Sequence, residues 1–320
     1  MRQGLRQRAV RAIRRFYRNV TTISRIQRPP KLVALTATRN EDWVLGFSLR
    51  VSLSYCDAVI ITDHGSTDRT AQIISEARAE FPNRVIDVRR LEQQEWREAE
   101  VRQEMLERGR RWGGTHFVIV DADEVPTANL LSQLRSLALK IEPGGCAALP
   151  MIAPYLSPSV YRLDGPWGEQ SAIPWVFGDS PELGWQCAES YQIHRRAPFG
   201  AINQGLLLPA RGQGGLFHLQ FVDKNRLQSK AAWYKMMETV DYPGQRSAAD
   251  LNQLYDWPLQ DDSTAKIETV PESWWAAYRE CGWLRFFAPN APAWQSDEAR
   301  RLASLHGRER FAGLDLHGII

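Results

Sequence analysis

The sequence predicts an α/β fold in which a mostly parallel, Rossmann-like sheet is flanked by helices. Two observations predict it. From residue 32 onward, short β-branched runs alternate with stretches of helical period. Three of those runs end in polar loops, and in open α/β sheets ligands bind beyond the carboxyl ends of the strands.

Taken in order, residues 32–37 read as a strand, 42–55 as a helix, 58–62 as a strand, 68–81 as a helix and 85–88 as a strand. A helix over 94–110 leads into a strand over 116–120, and strands joined by helices pair in parallel through right-handed crossovers. After residue 145 the period is less clear. A strand-like piece covers 146–153, a helix is expected over 222–238, and the C-terminal part is rich in tryptophan, with Trp257, Trp274, Trp275, Trp283 and Trp294. The expected division is a basic arm over 1–30, the sheet domain over 31–240 and a helical, Trp-rich extension over 241–320.

With 43% hydrophobic and 24% charged residues among 320, the chain is composed like a globular protein, which excludes wholesale disorder and a membrane bundle. Its net charge of +3 conceals an asymmetry. Ten of the 40 Arg and Lys fall within residues 1–31, which hold no acid, leaving 30 basic against 37 acidic residues beyond. The acidic body is no general polyanion binder, and nucleic acid is not an expected partner. In the arm, Leu5, Ala9, Ala12, Ile13, Phe16, Tyr17 and Val20 recur at three- and four-residue spacing between arginines, the pattern of a basic amphipathic helix. Such a helix over residues 1–28 is suited to peripheral contact with an acidic-lipid surface, or to docking on the body or a partner. Cys56, Cys146, Cys187 and Cys281 are scattered without a C-x-x-C pair, against a zinc site and a disulfide scaffold, and no run has the length of a membrane span or a secretory core. A cytoplasmic protein is expected.

Asp121 and Asp123 lie two apart at the end of an apolar strand, where both carboxylates can reach one cation. Hard oxygen ligands suit Mg²⁺ or Mn²⁺, and open positions on the ion can take substrate phosphates. Alone, Asp-x-Asp also occurs as a polar turn or a helix cap. Its place after Phe-Val-Ile-Val argues for a site, because paired acids there serve no packing purpose. In the loop Asp63-His64-Gly65-Ser66-Thr67-Asp68, Gly65 permits a tight turn and Thr67 or Asp68 can cap the next helix. Asp63 is free of that task and can accept hydrogen bonds from a ribose or a base. Arg39 and Glu41 read equally as surface loop or nucleotide contact.

Taken together, Arg39-Asn40-Glu41, Asp63-His64-Gly65-Ser66-Thr67-Asp68 and Asp121-Ala122-Asp123-Glu124 give the chain over roughly 32–240 a resemblance to the family 2 glycosyltransferases of the D-x-D-E kind. The resemblance implies a GT-A fold, a nucleotide-diphosphate sugar donor, a divalent cation (Mn²⁺ or Mg²⁺) and inverting transfer to the hydroxyl of a glycan, lipid-linked or protein acceptor. It implies that Ala37, Arg39 and Glu41 line the nucleotide pocket, that Asp63 contacts base or ribose, and that Asp121 and Asp123 serve donor and metal. His218, after Gly214-Gly215-Leu216-Phe217, reads as a third metal ligand or as a packed histidine. Arg195 and Arg196 could fork onto the diphosphate or be solvated. An inverting transfer also needs a carboxylate base. The family's E-D pair is missing, leaving Asp179, Glu182 and Glu189 as candidates, with Glu182 and Glu189 preferred for position. Trp175 and Trp185 could stack on an acceptor sugar or sit in the core.

Two other readings compete. A D-x-D-x-[T/V] phosphatase matches Asp121 to Val125, but that motif belongs on the first strand of its fold. A catalytically inactive nucleotide- or glycan-binding module would keep the sheet and lose the chemistry.

Overall fold

The computed structural model describes residues 29–92, 97–164, 171–185, 196–206, 211–259 and 265–320. The basic arm over 1–28 lies outside them. Strands β1 (Leu32–Thr38), β2 (Ala58–Asp63), β3 (Val85–Arg90) and β4 (His116–Ile119) pair in parallel in the order β3-β2-β1-β4. They are joined by α1 (Leu45–Tyr55), α2 (Thr70–Glu80) and α3 (Glu98–Trp112), as the alternation of strand and helix patterns predicts. The sheet continues past β4 through β8 (Ala172–Gly178) and β6 (Gly145–Pro154), each antiparallel to its predecessor. The α/β class expected from the sequence is therefore the observed one.

Successive side chains of a strand point to opposite faces, and here the two faces close two different cores. Leu32, Ala34, Val59, Ile61 and Val118 face one way, onto α1, α2 and α4 (Leu131–Ala138). Val33, Leu35, Ala58, Ile60, Phe117 and Ile119 face the other way, onto Val101, Met105 and Leu106 of α3. Both faces are covered, which explains why the strands are continuously apolar instead of alternating.

The region that was least legible in sequence contributes to the same body. Short strands β5 (Glu124–Pro126) and β10 (Leu216–His218) pair antiparallel, and β10 also runs parallel to β6. Trp274, Trp275 and Tyr278 belong to the first of the two cores, so the C-terminal segment is built into the sheet domain. Phe217 stacks on Trp275 at 4.5 Å, and the Tyr278 hydroxyl donates to the Pro126 carbonyl. The aromatic extension thus braces β5 and β10 from behind. Trp175 and Trp185 are core residues, packed against Tyr55 and Phe177, which leaves neither free to stack on a sugar.

The last residues are fixed by a buried lysine. Helix α5 (Lys224–Asp241) carries Lys235, whose ammonium donates to both oxygens of Asp256 at 2.7 and 2.8 Å and to the Asp315 carbonyl. Asp256, Asp315 and His317 bring donor atoms within 4.8 Å of one another, but Lys235 already supplies the cation there. Burial raises the Asp256 carboxyl, and His317 and Lys235 outweigh that and hold it below its usual range. A depressed folded-state pKa stabilises the fold above the unfolded carboxyl value, about 3.9, and that contribution is lost as pH falls further. Acid melts should therefore show the wild type losing more stability between pH 5 and pH 3 than Asp256→Asn (pH values approximate, from the same linkage). Equal losses would reject the linkage.

Candidate active site

Because β1, β2 and β4 are parallel neighbours, the loops that follow them emerge at one edge of the sheet. The first two loops clasp each other. Asn40 stands in the left-handed region at φ 52°, which asparagine tolerates, and its side-chain oxygen accepts the Thr67 N–H at 2.7 Å. In return, the Ser66 hydroxyl accepts the Asn40 N–H at 2.9 Å. Asp63, nearly buried, accepts the Ser66 N–H, and Asp68 accepts the N–H groups of Asp42 and Thr70. Asp63 and Asp68 thus both have turn-building work. Ala37 is half-buried and lies opposite Thr62 in the register.

Arg39 is not on the carboxylate cluster: its guanidinium lies 4.6 Å from the ring of Trp294, the first residue of α8 (Trp294–His306). Glu41 does join the cluster. Its carboxylate accepts the Trp43 indole N–H, and burial, reinforced by the nearby charge of Asp123, pushes it up to about 7 against the pull of Lys230.

The third loop holds the densest charge. Glu124 is 0% exposed, and the Arg196 guanidinium forks onto its two oxygens at 2.8 and 2.6 Å. Arg196 also donates to Asp121 at 3.1 Å and to the Ile119 carbonyl at 2.9 Å. Arg102 of α3 reaches the other Asp121 oxygen at 3.5 Å. Burial alone would raise the Asp121 carboxyl, but Arg196 and Arg102 overcome it and hold the group well below its usual range. Asp121 keeps a side chain 34% exposed, so an anion held by both arginines faces outward.

Asp123 points to a different set of neighbours. β10 places His218 opposite Glu124 in the register, which brings its Nε2 to 3.8 Å from Asp123 Oδ2. A Cβ at Gly215 would lie 2.2 Å from the Pro150 carbonyl oxygen, so glycine there is what lets β10 lie against β6 and aim His218. Burial drops the His218 imidazole to about 4 despite the pull of Asp123, so it is neutral near pH 7 and able to ligate. Lys230 of α5 approaches the same Asp123 oxygen at 3.4 Å.

The donor chemistry fits a divalent cation. A carboxylate beside a neutral imidazole suits Mn²⁺, and a second carboxylate nearby at Asp121 suits a hard ion. Asp121, Asp123 and His218 do not close a three-ligand cage: among the described residues only Asp256, Asp315 and His317 have donors mutually within 4.8 Å. An ion on Asp123 and His218 would keep positions for water and phosphate oxygens.

The structure does not bring the base candidates into this cluster. Glu182 is exposed and bonded to Ser180, just beyond Gly178, which pairs with the amino-terminal residue of β4. Because β8 runs antiparallel, that places Glu182 at the sheet edge opposite Asp121. Asp179 is spent on Arg110 at the same far edge. Glu189 and Arg195 lie outside the described residues. Arg102 was missed in sequence, although its spacing with Met105, Leu106 and Gly109 puts it on the buried face of α3.

No protein-family model and no curated protein matches the chain. Solved structures overlap it loosely. S. aureus TarS (residues 1–349) is 18% identical with a TM-score of 0.30, over 39% of this chain and only 35% of that one. GalNAc-T7 with UDP, GalNAc and Mn²⁺ is 10% identical, TM-score 0.37, over 73% and 57%. The mannosyltransferase PcManGT of Pyrobaculum calidifontis with GDP-Man and Mn²⁺ is 13% identical, TM-score 0.32, over 87% and 81%. Overlaps this loose assign no function, and the fold description stands on strand order and register alone.

Proposed function

We propose that the chain is a GT-A-type glycosyltransferase that moves a sugar from a nucleotide-diphosphate donor to an acceptor hydroxyl on a glycan, a lipid-linked molecule or a protein. The observation that carries this reading is the pairing of Asp123 with His218 at the end of β4, beside Asp121 held ionised by two arginines. When bound, Mn²⁺ or Mg²⁺ supplies charge stabilisation to the departing diphosphate. Asp123 and His218 would hold that ion, and Asp121 would orient the donor. Asp63, Ala37, Arg39 and Glu41 border the nucleotide, with Arg195 as a further phosphate contact.

Inversion requires a carboxylate on the acceptor side to take the hydroxyl proton. Of the three candidates we assign this role to Glu189, which lies seven residues before Arg196 in the sequence. Among the described residues no helix is long and apolar enough to cross a membrane. The arm over 1–28 would make any membrane contact peripheral, from the cytoplasmic side.

The test is a screen of nucleotide sugars for hydrolysis with and without Mn²⁺. At least one donor should be hydrolysed, with loss of activity in a chelator. If no donor turns over in either condition, the chain is a binding module or another enzyme.

A further inference from the structure

The contact between Lys230 and Asp123 puts a cation on the carboxylate that the proposed metal would use. A lysine ammonium and a histidine nitrogen approach one oxygen, Oδ2 of Asp123, at 3.4 and 3.8 Å. A divalent cation bound to that oxygen would sit nearer to it than the ammonium does, at about 2.0–2.1 Å for Mg²⁺. An ammonium at 3.4 Å would then face the ion as a like charge across a site where water is scarce, because Asp123 is 7% exposed. The two cations therefore compete for one carboxylate.

The other cations of the site cannot take this part. Arg196 is fixed by four acceptors, namely Glu124, Asp121 and the carbonyls of Ile119 and Pro174. Arg226 donates to the Ala291 carbonyl and lies 3.8 Å from the Trp43 ring centre. Lys230 is different, since among the described residues its hydrogen-bond partner is Asp123 alone, and its flexible stem carries a point charge that can be re-aimed. Phosphate oxygens are the acceptors such an ammonium would find if it swung outward.

Resting on the reading of Asp123 as a metal ligand, we propose that Lys230 is a cation gate. In the empty site its ammonium occupies the Asp123 oxygen. When a donor enters, Lys230 transfers to the diphosphate and yields Asp123 to the divalent ion. Metal and nucleotide diphosphate are then taken up together, each making room for the other, which is a coupling between two ligands through one side chain. No covalent step is involved.

Mn²⁺ binding to the full chain tests this, measured by equilibrium dialysis as Mn²⁺ retained with the protein, first alone and then with inorganic pyrophosphate at a matched free-Mn²⁺ concentration. Wild type should bind Mn²⁺ weakly alone and at least about tenfold more tightly with pyrophosphate. Lys230→Met should bind Mn²⁺ alone at least about tenfold more tightly than wild type and gain little from pyrophosphate. Lys230→Arg, which keeps the charge, should follow wild type, and this separates loss of the gate from damage to the helix. If Lys230→Met binds Mn²⁺ no more tightly than wild type while Asp123→Asn loses the ion, the gate is overturned and the metal site stands. If no variant binds Mn²⁺ in either condition, the metal reading falls and the gate with it.

Discussion

Asp123→Asn is expected to lower metal-dependent donor hydrolysis by about a thousandfold or more while leaving the protein folded. On the proposed reading the carboxylate is a metal ligand beside His218, and an amide oxygen is a much poorer partner for a hard divalent ion. Several kcal/mol of leaving-group stabilisation depend on that ion, and ~4 kcal/mol corresponds to three powers of ten in rate. Stability should change by no more than about 1–2 kcal/mol, since the substitution preserves shape and Lys230 retains the nearby charge of Glu41. Hydrolysis rates across Mn²⁺ concentrations, with a thermal melt as control, give the answer. Undiminished metal-dependent turnover would remove Asp123 from the metal site.

The second large effect is one of stability. Arg196→Met leaves the Glu124 carboxylate, 0% exposed, without the guanidinium that forks onto it. Breaking a buried pair from one side costs about 3–5 kcal/mol, which for a chain of this size is a fall in Tm on the order of 10 °C. The sign of the pH dependence follows. In the wild type, burial pushes Glu124 up to about 7 against the pull of Arg196, and without the arginine it rises further. A raised folded-state pKa means that the folded chain binds more protons than the unfolded one in the window above about 4.3. Arg196→Met should therefore regain stability as pH falls from 8 toward 5 (window approximate). Adding Glu124→Gln should both restore part of the Tm at pH 8 and flatten that pH response. A single variant as stable as wild type at pH 8 would show that Glu124 is served by another cation.

These two residues mark where the sequence could and could not be read. The parallel sheet was legible because both faces of β1, β2 and β4 are covered, which forces short apolar runs, and because each run ends in a polar loop at one edge. Asp121 and Asp123 stand out in sequence as paired acids after an apolar run, whereas the approach of His218 to Asp123 comes from the pairing of β10 with β5. The clamp was not legible. In the pair Arg195-Arg196 the sequence carries no local mark of a clamp, and only the tertiary fold puts Arg196 between Asp121 and Glu124. Arg102 was hidden for the same reason, a charge on an inward helix face whose partner lies 19 positions away. Glu182 misled because distance along the chain gives no hint that β8 returns antiparallel and carries it to the far edge. Trp175 and Trp185 stay open in sequence between a sugar platform and the core, since an aromatic count cannot separate the two, and the fold puts both in the core.

The bracing of β5 and β10 by Trp275 and Tyr278 bears on how the molecule assembles. Asp123 comes from the first half of the chain, His218 from well past its midpoint, and the aromatic wedge behind them from near its end. Contacts that close such long loops are slow to form relative to the local pairing of β1, β2 and β3. During refolding, strand pairing at the amino-terminal edge should therefore precede any competence to hold Mn²⁺. If the proposed metal site holds, Mn²⁺ uptake reports the last stage of the fold, and a chain stalled before its C-terminal aromatics dock would own a sheet but no site.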